Sequence, residues 1–288
     1  MIIRPPAKDE FKQVINCLIE TRGADYYSAL YYDMKWLDRN IELFAAFDET
    51  GELAGIAGLS QGLFNTEKTT GCLLTVRPAF SKHGIAKQLI VHFTDVLKKR
   101  GAGAVKGQVV TTHTEAQNIV ESLGWIPTGF LYGARHGKNA LALYTGKLSG
   151  KDVGPLYIHK DITDIARFVY DKLGVTADIQ NAGQSGETRV SRVFDAHNRL
   201  LYIGAAECGA ECGDDFESSP EENTIVMLNL NDPSAVYGYE SLREAGYAFC
   251  GFDPLGECEQ AVFYQGNAPG DMELTEQAMM IRDEVQSR

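Results

Sequence analysis

Between Arg77 and Thr94 the chain carries no carboxylate. The interval is preceded by Leu74-Thr75-Val76 and runs Arg77-Pro78-Ala79-Phe80-Ser81-Lys82-His83, then Gly84-Ile85-Ala86-Lys87-Gln88-Leu89. The order reads as a strand ending at a proline, a short loop, and a helix opening on Gly-Ile-Ala. A helix N-terminus presents unbonded N–H groups and the positive end of the peptide dipoles, so it suits a diphosphate. Gly84 and Ala86 keep side chains small where such a ligand would approach the backbone. Lys82 and Lys87 add positive charge. The residues by themselves predict an anion site of phosphate type at the start of helix 84–99. A capped helix after a tight turn would show much the same pattern.

The elements that must hold this loop follow from periodicity. Ile2–Arg4 reads as a short strand stopped by Pro5-Pro6. Phe11, Val14, Ile15 and Leu18 recur at helical spacing over 8–21, and Gly23 ends that helix. Residues 25–38, with Tyr26, Tyr27, Tyr31, Tyr32 and Trp36, are expected to form a second helix. Glu42–Phe47 and Leu53–Leu59 flank a hairpin turn with Gly51. Leu73–Val76 is a strand closed by Pro78. Helix 84–99 has the apolar stripe Ile85, Leu89, Phe93, Val96 and Leu97, cations in its last turn, and Gly101 beyond its end. Val105–Val110, 114–123 and 139–147 read as strand, short helix and strand. This order is mixed α/β, an α+β arrangement on a mixed sheet, and it lacks the repeated crossovers of a doubly wound fold.

Within these elements the loop resembles the acetyl-CoA signature of the GNAT superfamily of N-acetyltransferases: V-x-P on a strand, then [RQ]-x-x-G-x-[GA] opening a helix. Val76, Pro78, Gly84, Ala86 and the apolar Leu89 match, while Ser81 stands where Arg or Gln is usual. Gly124-Trp125 to Gly129-Phe130, after the last helix, also resembles the family. The resemblance covers residues 1–148 and implies the acyl-CoA N-acyltransferase fold, acetyl-CoA as cofactor, and acetyl transfer to a primary amine of a small molecule or protein. It implies that Thr75 and Val76 pair with the pantetheine arm. It implies that the backbone of Ser81, Lys82, His83, Gly84, Ile85, Ala86 and Lys87 holds the pyrophosphate. Tyr27 and Tyr31 fall where the family forms one wall of the acceptor cleft, although some aromatics of that segment must be core. Many members carry a Glu on the strand before V-x-P, yet Thr70–Thr75 contains no carboxylate. Many carry a Tyr four residues before the glycine that ends the last helix, yet that residue is Val120. Direct attack with a water-relayed proton is left, with His113 as the candidate shuttle because an imidazole can both take and give a proton. The same absences favour an alternative, a catalytically silent acyl-CoA-binding regulatory module.

The second half repeats parts of the first. Phe47-Asp48-x-x-Gly51-Glu52-Leu53 is matched by Phe194-Asp195-x-x-Asn198-Arg199-Leu200, and Gly124-Trp125-x-x-Thr128-Gly129-Phe130 by Gly246-Tyr247-x-x-Cys250-Gly251-Phe252. The offset falls from 147 to 122 between the two matches. A duplicated, shortened GNAT-like copy over 153–288 is expected, lacking the anion loop and its long helix. Residues 209–223 read as an acidic loop. Residues 274–285, with Leu274, Ala278, Ile281 and Val285, read as an amphipathic helix packed on the body.

Charge divides the same way. Of 288 residues, the first 150 hold 17 Lys/Arg and 14 Asp/Glu, and the remainder hold 10 and 25. The halves are therefore +3 and −15, within a net charge of −12. The second half would repel nucleic acid, and no run approaches the ~20 apolar residues of a membrane span. No signal-peptide pattern opens the chain, so a cytoplasmic location is expected. Six scattered cysteines suit reduced thiols. Cys208-x-x-x-Cys212 lacks the further ligands a metal would need, so no metal is expected.

Overall fold

The computed structural model describes the chain except residues 27, 63, 65, 134–138, 151, 181–185, 210–211, 217–222 and 268–269. It divides into two compact units, Met1–Gly107 and Gln108–Arg288.

The first unit opens with β1 (Ile2–Arg4), α1 (Phe11–Arg22), α2 (Met34–Asn40), β2 (Glu42–Phe47) and β3 (Leu53–Ser60). It continues through β4 (Thr70–Val76) and α3 (Ile85–Lys99) into β5 (Ala104–Val110). The strands lie in the order β1-β2-β3-β4-β5, antiparallel except for the parallel β4/β5 pair. Strand β2 is apolar at almost every position because both its faces are covered. Leu43, Ala45 and Phe47 join the core under α1, which buries Phe11, Val14, Cys17 and Leu18. Phe44 points the other way and its ring lies 6.5 Å from Phe93 of α3. Burial of each such side chain is worth about 1.5–3 kcal/mol before chain entropy is counted.

The β2–β3 turn is fixed by Asp48, whose Oδ1 accepts from Thr50 N at 2.9 Å and Glu52 N at 2.8 Å. The expected helix over 25–38 is instead a 3-10 turn at Ala29–Tyr32 followed by α2. Asp33 splits the segment: its carboxylate accepts from Lys35 N and Trp36 N, so a helix starts there.

Near the N-terminus Arg4 donates to both Glu10 oxygens at 2.7 Å and Ala7 N donates to the same carboxylate at 2.6 Å. Arg4 thereby draws the Glu10 pKa down from 4.5 to about 2. A depressed carboxylate stabilises the fold above its unfolded pKa and loses that contribution as pH falls through the folded value. Glu10→Gln is expected to flatten the pH dependence of thermal stability between pH 4.5 and about 2. Superimposable acid profiles for the two proteins would refute this.

The second unit begins with the end of β5, then α4 (Glu115–Glu121), β6 (Ile126–Gly133) and β7 (Asn139–Lys147). Next come β8 (Pro155–Tyr157), α5 (Thr163–Lys172), β9 (Asp178–Gln180), β10 (Arg189–Asp195) and β11 (Leu200–Glu207). The unit closes with β12 (Asn223–Asn229), α6 (Ala235–Glu244), β13 (Ala248–Asp253), β14 (Gln260–Gln265) and α7 (Glu276–Gln286). From the end of β5 its sheet runs β7-β6-β13-β14-β12-β11-β10, while β8 and β9 form a separate parallel pair. Strand β6, which carries Pro127 and Gly129, is absent from the sequence expectation. In the sheet Gly129 pairs with Gly251 of β13, and a Cβ on Gly251 would stand 2.3 Å from the Gly129 Cα. The glycine is there for close approach between strands.

Two triplets in this unit share one order. β7 lies between β5 and β6, as β14 lies between β12 and β13. The helices within them end alike. Gly124 and Gly246 take φ of +81° and +85°, Trp125 N donates to Val120 O, and Tyr247 N donates to Leu242 O. Strand β11 runs parallel to β12, as β4 does to β5. That pairing sets β10–β11 beside β3–β4, one strand along from the correspondence the Phe-Asp match suggests. Residues 208–222 then occupy the connection that in the first half is 77–103, and their described part holds only the 3-10 turn Cys212–Phe216.

Helix α7 packs on β6 and β13 through Ala278, Ile281 and Val285, as expected of the 274–285 segment. No helix among the described residues is long and apolar enough to cross a membrane.

Candidate functional site

Strand β4 and the start of α3 build the site in the first unit. After Val76 the chain turns through Arg77, whose guanidinium is held by Glu20 at 2.9 Å and Glu52 at 2.6 Å. Arg77 N donates to Ala54 O at 2.9 Å, anchoring the strand end to β3. Pro78–Phe80 forms a 3-10 turn closed by Phe80 N to Arg77 O and Ser81 N to Pro78 O. Lys82 and Gly84 then adopt left-handed conformations, with φ of +65° and +72°. A β-carbon at residue 82 in this region costs about 1–2 kcal/mol, so tertiary structure imposes the turn. Helix α3 follows, and Gln88 N is bonded back to Gly84 O at 3.1 Å. The N–H groups of its first turn precede that bond and have no intrahelical carbonyl to meet.

Ser81, Lys82, His83, Gly84 and Lys87 are exposed, Ala86 is half-buried, and Ile85 is the buried anchor. A Cβ on Gly84 would meet only Gln88 Nε2, at 4.0 Å. Space is therefore open in front of the loop, and the glycine is needed for its φ and for a clear approach. Backbone turns of this handedness gather N–H groups into a concavity suited to anions. The residues expected to hold a pyrophosphate thus stand together on one loop.

Strand β4 carries a feature that sequence reasoning missed. Leu73 has φ of +55°, rare for a branched, apolar residue inside a strand. Register with β3 jumps there: Cys72 faces Gly58 and Thr75 faces Ile56, so Leu73 and Leu74 together oppose Ala57. This is a β-bulge, which turns backbone groups out of the ladder. Ladder pairs between β4 and β5 are confined to Thr70/Lys106 and Gly71/Gly107, so the bulge lies just past the last of them. Two residues on, Thr75 is 3% exposed and its Oγ1 has no hydrogen-bond partner. A buried orphan hydroxyl costs about 1–3 kcal/mol, and a bound acceptor or donor would remove that cost. Strain and an unmet hydroxyl thus lie together on the strand that leads into the 81–87 loop, a candidate binding site.

Of the acceptor-wall residues, Tyr31 is half-buried and packs on Trp36 with ring centroids 5.0 Å apart, at the margin of the α1 core. Tyr27 lies outside the described residues. His113 belongs to the second unit. It precedes α4, and its Nδ1 lies 2.6 Å from Glu115 Oε2. The loop that carries it is fixed by Gln117, which is fully buried. Its Nε2 donates to Val110 O at 3.3 Å, His113 O at 3.1 Å and Glu273 O at 2.7 Å, and its Oε1 accepts from Thr275 N at 3.1 Å.

A bulged strand leads here into a left-handed loop and a bared helix start. Residues 11–125 match the family described as Acetyltransferase (GNAT) family. Over that segment the chain is similar to this family of acetyltransferases. Its sheet is also similar to solved structures at low identity. One is the ribosomal-protein-S18-alanine N-acetyltransferase from Escherichia coli, at 18% identity over 55% of this chain and 99% of that one, TM-score 0.42. Another is an aminoglycoside 6′-N-acetyltransferase complexed with coenzyme A, at 17% identity over 53% and 99%, TM-score 0.44. A third, from Salmonella typhimurium and solved with its cofactor acetyl-CoA, has 16% identity over 53% and 96%, TM-score 0.43. Scores and identities this low leave the weight on the family match. No curated protein matches the chain.

Proposed function

We propose that the protein is an acetyl-CoA-dependent N-acetyltransferase whose acceptor is a primary amine with further positive charge. The observation that carries this is the Ser81–Lys87 loop, with its two left-handed residues opening α3 inside the family-matched segment. The loop backbone and Lys82 bind the diphosphate of acetyl-CoA, and Thr75 and Val76 take its pantetheine arm. The thioester supplies an activated acetyl group. The bulge at Leu73 frees backbone N–H groups that stabilise the oxyanion formed when the amine attacks. His113 is the residue assigned to take the amine proton and return it to the thiolate.

In this reading residues 1–148 are the transferase domain and 153–288 a shortened copy of it. The shared order of β5-β7-β6 and β12-β14-β13 supports that relation. The −15 charge of the latter half would concentrate cationic acceptors and repel anionic ones.

A thiol-release assay with a panel of mono- and polyamines tests the activity. His113→Ala is expected to lower kcat about 100-fold with CoA affinity unchanged. An unchanged kcat removes His113 from the mechanism. Raising salt is expected to lower kcat/KM for polycationic acceptors while sparing neutral ones, since charges beyond ~8 Å are screened at physiological strength. Equal salt dependence for both classes defeats the electrostatic part.

A second reading, an acyl-CoA-binding regulatory module, is favoured by the missing carboxylate at Thr70–Thr75 and by Val120. Tight CoA binding with no thiol release from any amine would establish it instead.

A further inference from the structure

The second unit's sheet ends on β10, which is paired on one side only, with β11. Among the described residues no strand pairs with its other side. In an antiparallel pair every second residue turns its N–H and C=O away from the neighbour, so an outer strand presents a row of open donors and acceptors. The strand is seven residues long and contains no proline or lysine, the residues that most often blunt an edge. Its one irregularity against β11 lies at the Arg189 end. Val193 and Phe194 are neighbours, so they point to opposite faces of the sheet, yet they are 48% and 51% exposed. The strand is therefore exposed on both faces as well as along its edge. Strand β1, at the edge of the first unit's sheet, has three residues and is followed by Pro5-Pro6, so it offers no comparable run.

The sequence of β10 is complementary to itself when reversed. Antiparallel pairing of two copies about Arg192 sets Arg189 opposite Asp195, Val190 opposite Phe194 and Ser191 opposite Val193. Opposite charges then meet at both ends, with apolar pairs between them. Both charges are already held in position. Arg189 donates to Glu207, its register partner on β11. Asp195 Oδ1 accepts from His197 N at 3.0 Å and Asn198 N at 3.1 Å. A second copy's Asp195 beside Arg189 would complete an acid–base–acid ladder across three strands. Arg192 meets its own copy at the centre, but its guanidinium is turned aside and donates to Asp215 O. Other centres lose the match. Pairing about Ser191 sets Asp195 opposite Glu187, and pairing about Val193 sets Arg192 opposite Phe194.

We propose that β10 docks a second copy of this chain, pairing antiparallel with its own counterpart about a two-fold axis at Arg192. The occupant is a second copy because the reversed charge and apolar pattern that the strand calls for is the one the strand itself carries. The contact is isologous, so each favourable pair is made twice and every substitution acts on both sides of the axis. Main-chain hydrogen bonds along the edge supply affinity, and the end charges fix the register.

The test uses the full-length protein. Sedimentation velocity under reducing conditions is expected to show a dimer. Phe194→Lys, at a position exposed enough to leave the fold intact, is expected to weaken association at least about tenfold, because the charge enters the contact twice. Hydrogen exchange should slow along β10 in the dimer and quicken in that variant. Engineered cysteines read the register without relying on loss. Arg192→Cys should cross-link to its own copy under mild oxidation, since register partners have α-carbons about 4.5–5.5 Å apart. Ser191→Cys or Val193→Cys alone should not, because each meets its own copy diagonally, at about 7–8 Å, but a mixture of the two should give a cross-linked heterodimer. The wild type, with its own six cysteines, is the blank. A monomer at every concentration, association unchanged in Phe194→Lys, or cross-linking through residue 191 alone in place of 192 overturns the proposal. Slow exchange along β10 in a monomer would mean that another segment of this chain covers the strand, and overturns it too.

Discussion

Gly84→Glu is expected to weaken CoA binding about 100-fold. The carboxylate would enter the open space before the loop, where only Gln88 Nε2 lies within 4.0 Å of the new Cβ. An anion at a helix N-terminus competes with the ligand for the same N–H groups, and residue 84 has φ of +72°, which a side chain resists. Together these come to about 2–3 kcal/mol, and 1.4 kcal/mol is tenfold. Gly84→Ala carries the conformational cost without the charge, so it should lose only a few-fold in affinity. Calorimetric titration reads both, and it should give one site per chain, because the described part of 208–222 offers no helix like α3. Unchanged affinity in the Glu variant, or two sites per chain, would be decisive against the assigned loop.

The largest effect on stability is expected from Gln117→Leu. The side chain is fully buried, and its amide serves the end of β5, the His113 loop and the segment leading into α7. Leucine fills much of the volume but strands Glu273 O and Thr275 N without their partner. Partly buried groups left unmet cost up to about 1–3 kcal/mol each, so a loss of about 3 kcal/mol is expected at most after relaxation. For a unit of this size that corresponds to a fall in Tm of roughly 6–12 °C. Glu115→Ala, at an exposed position of the same helix, should change Tm little and serves as the reference. A Gln117→Leu protein melting with the wild type would mean that the strap at 273–275 is held by α7 packing alone.

The 81–87 loop is legible in the sequence, because Pro78, Gly84 and Ala86 are each restricted for a backbone reason that spacing displays. The bulge is not. Cys72-Leu73-Leu74 reads as an unbroken buried strand, and nothing in a leucine announces φ of +55°. That conformation is imposed by the mismatch with Ala57 across the ladder, a tertiary fact. The start of α2 is obscured for the opposite reason: Asp33 is a plain cap signal that a run of aromatics outweighs. Strand β6 is hidden because a glycine reads as a breaker, when Gly129 is a point of close approach to another glycine. The setting of His113 is the least legible part. His113 depends on Gln117 and on a segment more than 150 residues away, and no local pattern ties those together.

The Gly129–Gly251 contact has a consequence for how the chain can change. In the inferred repeat these two residues are equivalent, and they are register partners in an antiparallel pair. Two strands that meet head to tail at equivalent positions are related by a local two-fold axis, which here passes between two α-carbons. Between separate identical subunits such a contact is isologous, and every substitution is made twice, once on each side of the axis. Encoded in one chain, the two sides mutate independently. The axis itself stays fixed, since a side chain at either glycine collides with the backbone of the other. Away from it, one side is free to lose a loop and a helix that the other must keep.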